Sequence, residues 1–169
     1  EGADLFAVYC NTNPEGKPHE RISMILVERD MGVEVEHTYG LLGTRGGGTG
    51  RIVFRDVEVP EENVVGELNT GGLIFNQMMI PERMTSAGGA IGGARAALEI
   101  ATRYTHRRAA FGRKIRKFQS VSNMIAHCIT QLDAARAITY GAARTVDQGL
   151  QHRRMVSEAK RFATDTSWE

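Results

Sequence analysis

The spacing of apolar residues changes along this chain, and the change occurs near residue 68. Before it, residues 5–10, 22–27 and 52–59 are rich in aliphatic, β-branched and aromatic residues, and residues 33–39 alternate between apolar and polar side chains. Such segments, some of them strictly alternating, predict β-strands. After residue 68 the apolar residues recur at steps of three and four, which predicts long amphipathic helices. We therefore expect an α+β chain whose strands are followed by part of an antiparallel helical bundle.

The first predicted helix runs from about Leu73 to about Arg107 and passes through Pro81. Because proline lacks an N–H group, we expect a kink or a new segment at that position. Either Asn69 or Thr70 offers a side chain suited to capping the first turn of this helix.

Residues 87–94 of that helix are nearly all small, and four of them are glycine. Each glycine destabilises a helix by about 1 kcal/mol relative to alanine. The stripe therefore predicts the close approach of another backbone or of a flat ligand.

Two further helices are expected. The second carries one apolar stripe from Val121 to Val146, and Gly149 is placed to end it. The third places Met155, Ala159 and Phe162 toward the interior.

Charge is divided unevenly between the two parts of the chain. Residues 1–68 carry 13 acidic and 6 basic side chains, whereas residues 69–169 carry 7 acidic and 15 basic ones. The overall charge of +1 argues against an obligate polyanion partner, while the basic second part indicates that it meets something anionic.

Cys10 and Cys128 are isolated in the sequence, which favours reduced thiols and a cytoplasmic location. No apolar run is long enough for a membrane span, no cysteine–histidine spacing indicates a metal site, and no signal peptide opens the chain. Strand-like sequence at the start and an open helical pattern at the end predict a piece of a longer protein.

The segment 107–119, RRAAFGRKIRKFQ, has six Lys or Arg and no acidic residue. Three interpretations compete: a nucleic-acid patch, cations that complement the dipole of a helix C-terminus, and a seat for a phosphate-bearing cofactor. The cations lie around a glycine-containing break and not along one helical face, which disfavours nucleic acid. An arginine fork, a glycine and aromatic rings suit a diphosphate attached to a flat ring, so the cofactor interpretation leads.

Four stretches together resemble the acyl-CoA dehydrogenase family of flavoproteins. They are Leu42-Gly43-Thr44-Arg45, residues 53–60, Pro81-Glu82-Arg83, and Arg108-Ala109-Ala110-Phe111-Gly112 with Phe118-Gln119. The resemblance covers essentially the whole chain. It implies an N-terminal helical domain, a middle β domain and a C-terminal four-helix bundle, assembled as a tetramer or dimer of dimers. On it, residues 1–68 end the β domain and residues 69–169 begin the bundle.

The resemblance also implies roles for individual residues. Arg108 matches the residue that binds the FAD pyrophosphate of a neighbouring subunit. Phe111, Phe118 and Gln119 match contacts to the adenosine side of that FAD, although both phenylalanines also suit an ordinary core. Arg83 matches a position beside the acyl-CoA substrate.

Glu82 is the candidate catalytic base. Most family members carry this carboxylate on a late loop that the chain lacks, whereas the isovaleryl-CoA and long-chain branches carry it at the position of Glu82. The alternative is a first-turn glutamate favoured by the helix dipole after Pro81.

The function implied is FAD-dependent α,β-dehydrogenation of an acyl-CoA in fatty acid metabolism, with electrons passing to an electron-transferring flavoprotein. The piece alone is expected to be inactive, because half of the flavin site lies elsewhere. Three alternatives remain open: an acyl-CoA oxidase or a flavin monooxygenase of the same fold, and a non-catalytic relative that binds DNA.

Overall fold

The computed structural model describes residues 2–169 and divides them into two compact units, one ending at Gln77 and one running from Met78 to Glu169. The first unit contains two antiparallel strand pairs. The second is helical except for one short hairpin. The predicted fold class, small antiparallel strands followed by antiparallel helices, is confirmed.

The first strand pair joins β1 (Leu5–Asn11) to β2 (Ile22–Glu28), with Leu5 opposite Glu28 and Asn11 opposite Ile22. In the connection, the N–H of Gly16 donates to the carbonyl of Asn13 at 3.1 Å. The predicted strands here are therefore confirmed.

The second strand pair joins β3 (Glu34–Thr38) to β4 (Gly50–Val53), with an irregular register between Val35 and His37. The sequence predicted a strand as far as residue 59, and this was wrong. Strand pairing stops at Val53, opposite Glu34, and Asp56 then adopts a left-handed backbone with φ of 49°. Alternating sequence alone does not make a strand where no partner strand is available.

Helix α1 (Gly71–Arg107) begins in the first unit and continues in the second without interruption at Pro81. The predicted side-chain caps were wrong. Thr70 Oγ1 donates to the carbonyl of Glu67 at 2.7 Å, while Asn69 Oδ1 accepts from Thr12 Oγ1 at 2.7 Å. The Thr70 side chain thus fixes the preceding turn, while that of Asn69 ties this turn to the end of β1.

The start of α1 is held against β2 by Ser23, which is fully buried. Its hydroxyl accepts the backbone N–H of Asn69 at 2.8 Å and lies 2.6 Å from Thr12 Oγ1. A Cβ built at Gly71 would lie 2.7 Å from the carbonyl carbon of Ser23. The close approach of helix and strand therefore requires glycine at position 71.

The glycines of the small-residue stripe, 88, 89, 92 and 93, are exposed. Apart from the neighbouring backbone of α1 itself, a Cβ built at any of them would meet no atom within 4 Å among residues 2–169. The close approach that the sequence predicted is thus not made by any residue that the structure describes.

Helices α2 (Gln119–Asp147) and α3 (Arg153–Trp168) follow, and Gly149 has a φ of 65°, as expected of a residue that ends a helix. Two small clusters lie in the core of the helical unit. One contains Ala87, Ala135 and Ala163; the other contains Ala142, Val156 and Ala159, with Ile80 and Met84 packed on it. From the second cluster to the first, residue numbers rise along α1 and α3 but fall along α2. Helix α2 is therefore antiparallel to both of the other helices.

Both cysteines are free thiols. Among residues 2–169, no helix combines the length and apolar character needed to cross a membrane.

Candidate functional site

A short hairpin connects α1 to α2 and lies within the basic segment. Its strands are β5 (Ala109–Ala110) and β6 (Arg113–Lys114), paired with Ala110 opposite Arg113. The two residues between them, Phe111 and Gly112, have φ of 48° and 77°. Positive φ at both central positions is the signature of a type I′ hairpin turn, which normally carries Asn-Gly or Gly-Gly.

Phe111 is unusual at such a position. A left-handed backbone costs a non-glycine residue about 1–2 kcal/mol, and its side chain is 94% exposed, so hydrophobic burial does not offset that cost. Its ring makes an edge-to-face contact with Phe118, with centroids 6.2 Å apart and planes at 86°. Strain concentrated in an exposed aromatic residue points to a ligand contact and not to a core role.

Arg113 and Lys114 of the hairpin were not among the predicted site residues. The guanidinium of Arg113 lies over the ring of Phe118, with its carbon 4.1 Å from the centroid. Lys114 Nζ donates to the carbonyl of Arg107 at 2.8 Å and so ties β6 to the end of α1. The spacing from Arg113 to Phe118 gave no signal, because a cation and a ring five residues apart meet only if the chain turns between them.

The surroundings of the hairpin are strongly cationic. Between residues 100 and 132 there are seven Lys or Arg and no Asp or Glu. Arg108 is exposed directly after α1, and its guanidinium forms no hydrogen bond or ion pair with residues 2–169. Its backbone is fixed, since its N–H donates to Tyr104 at 2.9 Å and its carbonyl accepts from Ile115 at 3.0 Å. The planar guanidinium of Arg108 is therefore available to bind an anion.

All four residues predicted to contact a cofactor therefore lie in one local segment. Arg108 directly precedes the hairpin and Phe111 lies in its turn, while Phe118 directly precedes α2 and the exposed Gln119 is the first residue of α2. A free guanidinium, an exposed ring and an exposed amide fit a ligand that combines a diphosphate with a flat ring.

The two residues predicted to act on the substrate lie elsewhere. Glu82 and Arg83 directly follow Pro81 in α1, where Glu82 is exposed and Arg83 is half-buried. Ser86 Oγ, one helical turn later, donates to Glu82 Oε1 at 3.1 Å. At 1.5 Å per residue, Glu82 lies about 37 Å along the helix from Arg107. The structure thus separates the predicted site residues into two sets: the substrate residues Glu82 and Arg83 within α1, and the four cofactor residues in the segment that follows the end of α1.

Comparison with known proteins identifies the family. Residues 69–169 match the model for "Acyl-CoA dehydrogenase, C-terminal domain". The short/branched chain specific acyl-CoA dehydrogenase of Rattus norvegicus mitochondria is 32% identical over 168 residues, covering 99% of this chain and 39% of that protein. The cyclohex-1-ene-1-carbonyl-CoA dehydrogenase of Geobacter metallireducens is 35% identical over 167 residues, covering 98% of this chain and 44% of that protein. CarC of the caffeyl-CoA reductase–Etf complex of Acetobacterium woodii is 34% identical over 166 residues, covering 96% and 43%.

Solved structures agree with these relatives. An acyl-CoA dehydrogenase from Geobacillus kaustophilus superposes with a TM-score of 0.92 at 30% identity, covering 98% of this chain and 44% of that one. PigA with FAD and proline gives a TM-score of 0.93 at 29% identity, covering 98% and 43%. The prolyl acyl carrier protein oxidase AnaB gives 0.90 at 27% identity, covering 97% and 43%.

The chain spans well under half the length of each of these proteins. It matches them over nearly all of its own residues, through the strand pairs as well as the helices. The chain belongs to the acyl-CoA dehydrogenase family.

Proposed function

We propose that the chain is part of an FAD-dependent acyl-CoA dehydrogenase, in which residues 1–68 belong to a β domain and residues 69–169 begin a helical bundle domain. Family membership supports the reaction class. The observation that carries the proposal is the hairpin, where Phe111 is exposed and left-handed and the guanidinium of Arg108, three residues earlier, has no partner among residues 2–169.

In this proposal the four cofactor residues, Arg108, Phe111, Phe118 and Gln119, hold the adenosine diphosphate part of FAD. The guanidinium of Arg108 binds the diphosphate through its planar fork. Phe111 and Phe118 contact the flat ring system, and Gln119 offers an amide hydrogen bond. The absence of carboxylates between residues 100 and 132 favours this role, because only Arg103 of these seven cations pairs with a carboxylate of residues 2–169, that of Glu99 at 3.7 Å.

The distance between the proposed substrate residues, Glu82 and Arg83, and the four cofactor residues supports an oligomer. An extended FAD molecule is shorter than the roughly 37 Å of helix between Glu82 and the hairpin. One FAD therefore cannot reach both sets along the same α1. We infer that the hairpin binds the FAD of a neighbouring subunit, so the active protein is a homo-oligomer, either a tetramer or a dimer of dimers.

Glu82 is the proposed catalytic base. Its carboxylate removes the α-proton of the acyl-CoA thioester, while the β-hydrogen leaves with its electron pair and a carbon–carbon double bond forms. FAD, when bound, supplies the acceptor for that hydride. Arg83 is proposed to lie beside the substrate. The Ser86 hydroxyl, 3.1 Å from Glu82 Oε1, holds one carboxylate oxygen in a defined direction.

The electron acceptor is proposed to be an electron-transferring flavoprotein, since the relative CarC belongs to an Etf complex. An oxidase that passes the electrons to dioxygen is the second candidate, because AnaB shares the fold at a TM-score of 0.90. Supplying each acceptor in turn to the reduced holoprotein distinguishes the two. A cytoplasmic location stays a prediction, as some relatives are mitochondrial.

The test uses the full-length protein. It is expected to purify yellow with FAD and to lose its visible flavin absorbance when an acyl-CoA is added without oxygen. Glu82→Gln is expected to retain FAD but to lose this reduction, because the amide cannot accept the proton. Glu99→Gln is the matched control: it removes a carboxylate from the same helix, where Glu99 pairs with Arg95 at 2.9 Å.

A colourless protein that acyl-CoA does not alter would contradict the proposed function. Normal flavin reduction by Glu82→Gln would instead move the base to another carboxylate. DNA binding that weakens steeply with salt, without thioester turnover, would favour the non-catalytic alternative.

A further inference from the structure

The guanidinium of Arg113 makes a contact that the proposed FAD site does not use. It lies 4.1 Å from the centroid of the Phe118 ring, and no carboxylate of residues 2–169 pairs with it. Arg113 is also fixed in the hairpin, where it is opposite Ala110. The contact therefore joins β6 to the residue that directly precedes α2.

We propose that Arg113 is a positioning residue for cofactor binding, acting through Phe118 on the exposed ring of Phe111. This inference rests on the proposed function. Arg113 lies over Phe118, and Phe118 is the aromatic partner of Phe111 at 6.2 Å. Arg113 thus restricts the ring orientation of Phe118, and Phe118 restricts that of Phe111.

The backbone of Phe118 cannot by itself set the direction of its ring. Its carbonyl accepts the N–H groups of Val121 and Ser122, both at 3.0 Å, which fixes the main chain at the start of α2. The ring is only half-buried and so retains rotational freedom. A guanidinium stacked on the ring removes that freedom, because the cation is attracted to the ring face.

The consequence reaches Phe111, whose ring is 94% exposed. An exposed ring that must meet a flat ligand loses side-chain entropy on binding unless it is already held. Phe118 holds it by the edge-to-face contact, and Arg113 holds Phe118. Removing the charge of Arg113 should therefore weaken FAD binding without unfolding the hairpin.

The experiment measures the FAD dissociation constant of the full-length apoprotein by the change in flavin fluorescence on binding. Arg113→Gln is expected to weaken binding about 2–5-fold, the size of an exposed cation–π interaction. Arg113→Lys should restore most of the affinity, since an ammonium also binds a ring face. Arg116→Gln is the matched control: it removes the same charge from the same basic segment, from a side chain with no ring contact among residues 2–169.

A double-mutant cycle separates positioning from a direct phosphate contact. If Arg113 acts through the ring, the effect of Arg113→Gln should vanish in a Phe118→Leu background. An effect that persists there, together with a weaker salt dependence of binding, would identify Arg113 as a phosphate ligand and overturn the proposal. The melting temperature of each apoprotein checks folding, and the salt dependence of FAD binding by Arg113→Gln separates the two roles even if Phe118→Leu is unstable.

Equal affinities for Arg113→Gln and Arg116→Gln would also overturn this inference, while leaving the proposed FAD site intact. A wild-type full-length protein that binds no FAD would overturn the proposed function and this inference together. The two failures are thus distinguishable.

Discussion

Replacing Phe111 with asparagine tests whether this residue contributes to ligand binding and not to the stability of the fold. Asparagine tolerates the left-handed backbone and is preferred before glycine in a type I′ turn. The substitution relieves part of the roughly 1–2 kcal/mol of backbone strain at Phe111, which has a φ of 48°. It removes the edge-to-face contact with Phe118, worth about 0.5–1.5 kcal/mol. The two effects oppose each other.

The free energy of unfolding of the apoprotein should therefore stay within about 1 kcal/mol of wild type, because the lost side chain is almost fully exposed. FAD affinity should fall at least about fivefold, since ring stacking on an aromatic side chain contributes about 1–3 kcal/mol. The assay compares apoprotein denaturation with FAD titration, both on full-length protein.

Phe162→Asn is the matched control, because Phe162 packs against the buried cluster of Ala87, Ala135 and Ala163. The same chemical change there should destabilise the apoprotein by about 3 kcal/mol. If Phe111→Asn unfolds as readily as Phe162→Asn, Phe111 is a structural residue and its backbone strain does not indicate a ligand contact. Unchanged FAD affinity would refute the proposed ligand contact.

Two further predictions concern the fold. Gly71→Ala should destabilise the protein by about 1–3 kcal/mol, because its Cβ would lie 2.8 Å from the carbonyl oxygen of Ile22. Gly72→Ala, whose Cβ would meet its nearest atom at 3.6 Å, should be neutral or stabilising, and equal denaturation midpoints for the two variants would contradict this account. Thr139→Val should stabilise by about 1 kcal/mol, since the buried Thr139 hydroxyl has no hydrogen-bond partner among residues 2–169. A lower melting temperature would mean that this hydroxyl has a partner elsewhere in the full-length protein.

The sequence by itself determined the elements whose pattern is local. The apolar stripe of α2 and the glycine that ends it follow from helix periodicity and backbone preference, and both are present in the structure. The basic segment was also recognisable, because an excess of one charge needs no tertiary information. Its four predicted cofactor residues are brought together because they are near in sequence.

Only the tertiary structure decided features that depend on a partner distant in sequence. β4 ends at Val53 because strand pairing with β3 ends there, although the alternating pattern continues. Asn69 bonds Thr12 and does not cap α1, since a side chain bonds whichever group the fold brings near it. The left-handed Phe111 and the stacking of Arg113 on Phe118 arise only once the chain turns back on itself. Periodicity and propensity determine local structure, whereas hydrogen bonds and ring contacts depend on which residues the folded chain places side by side.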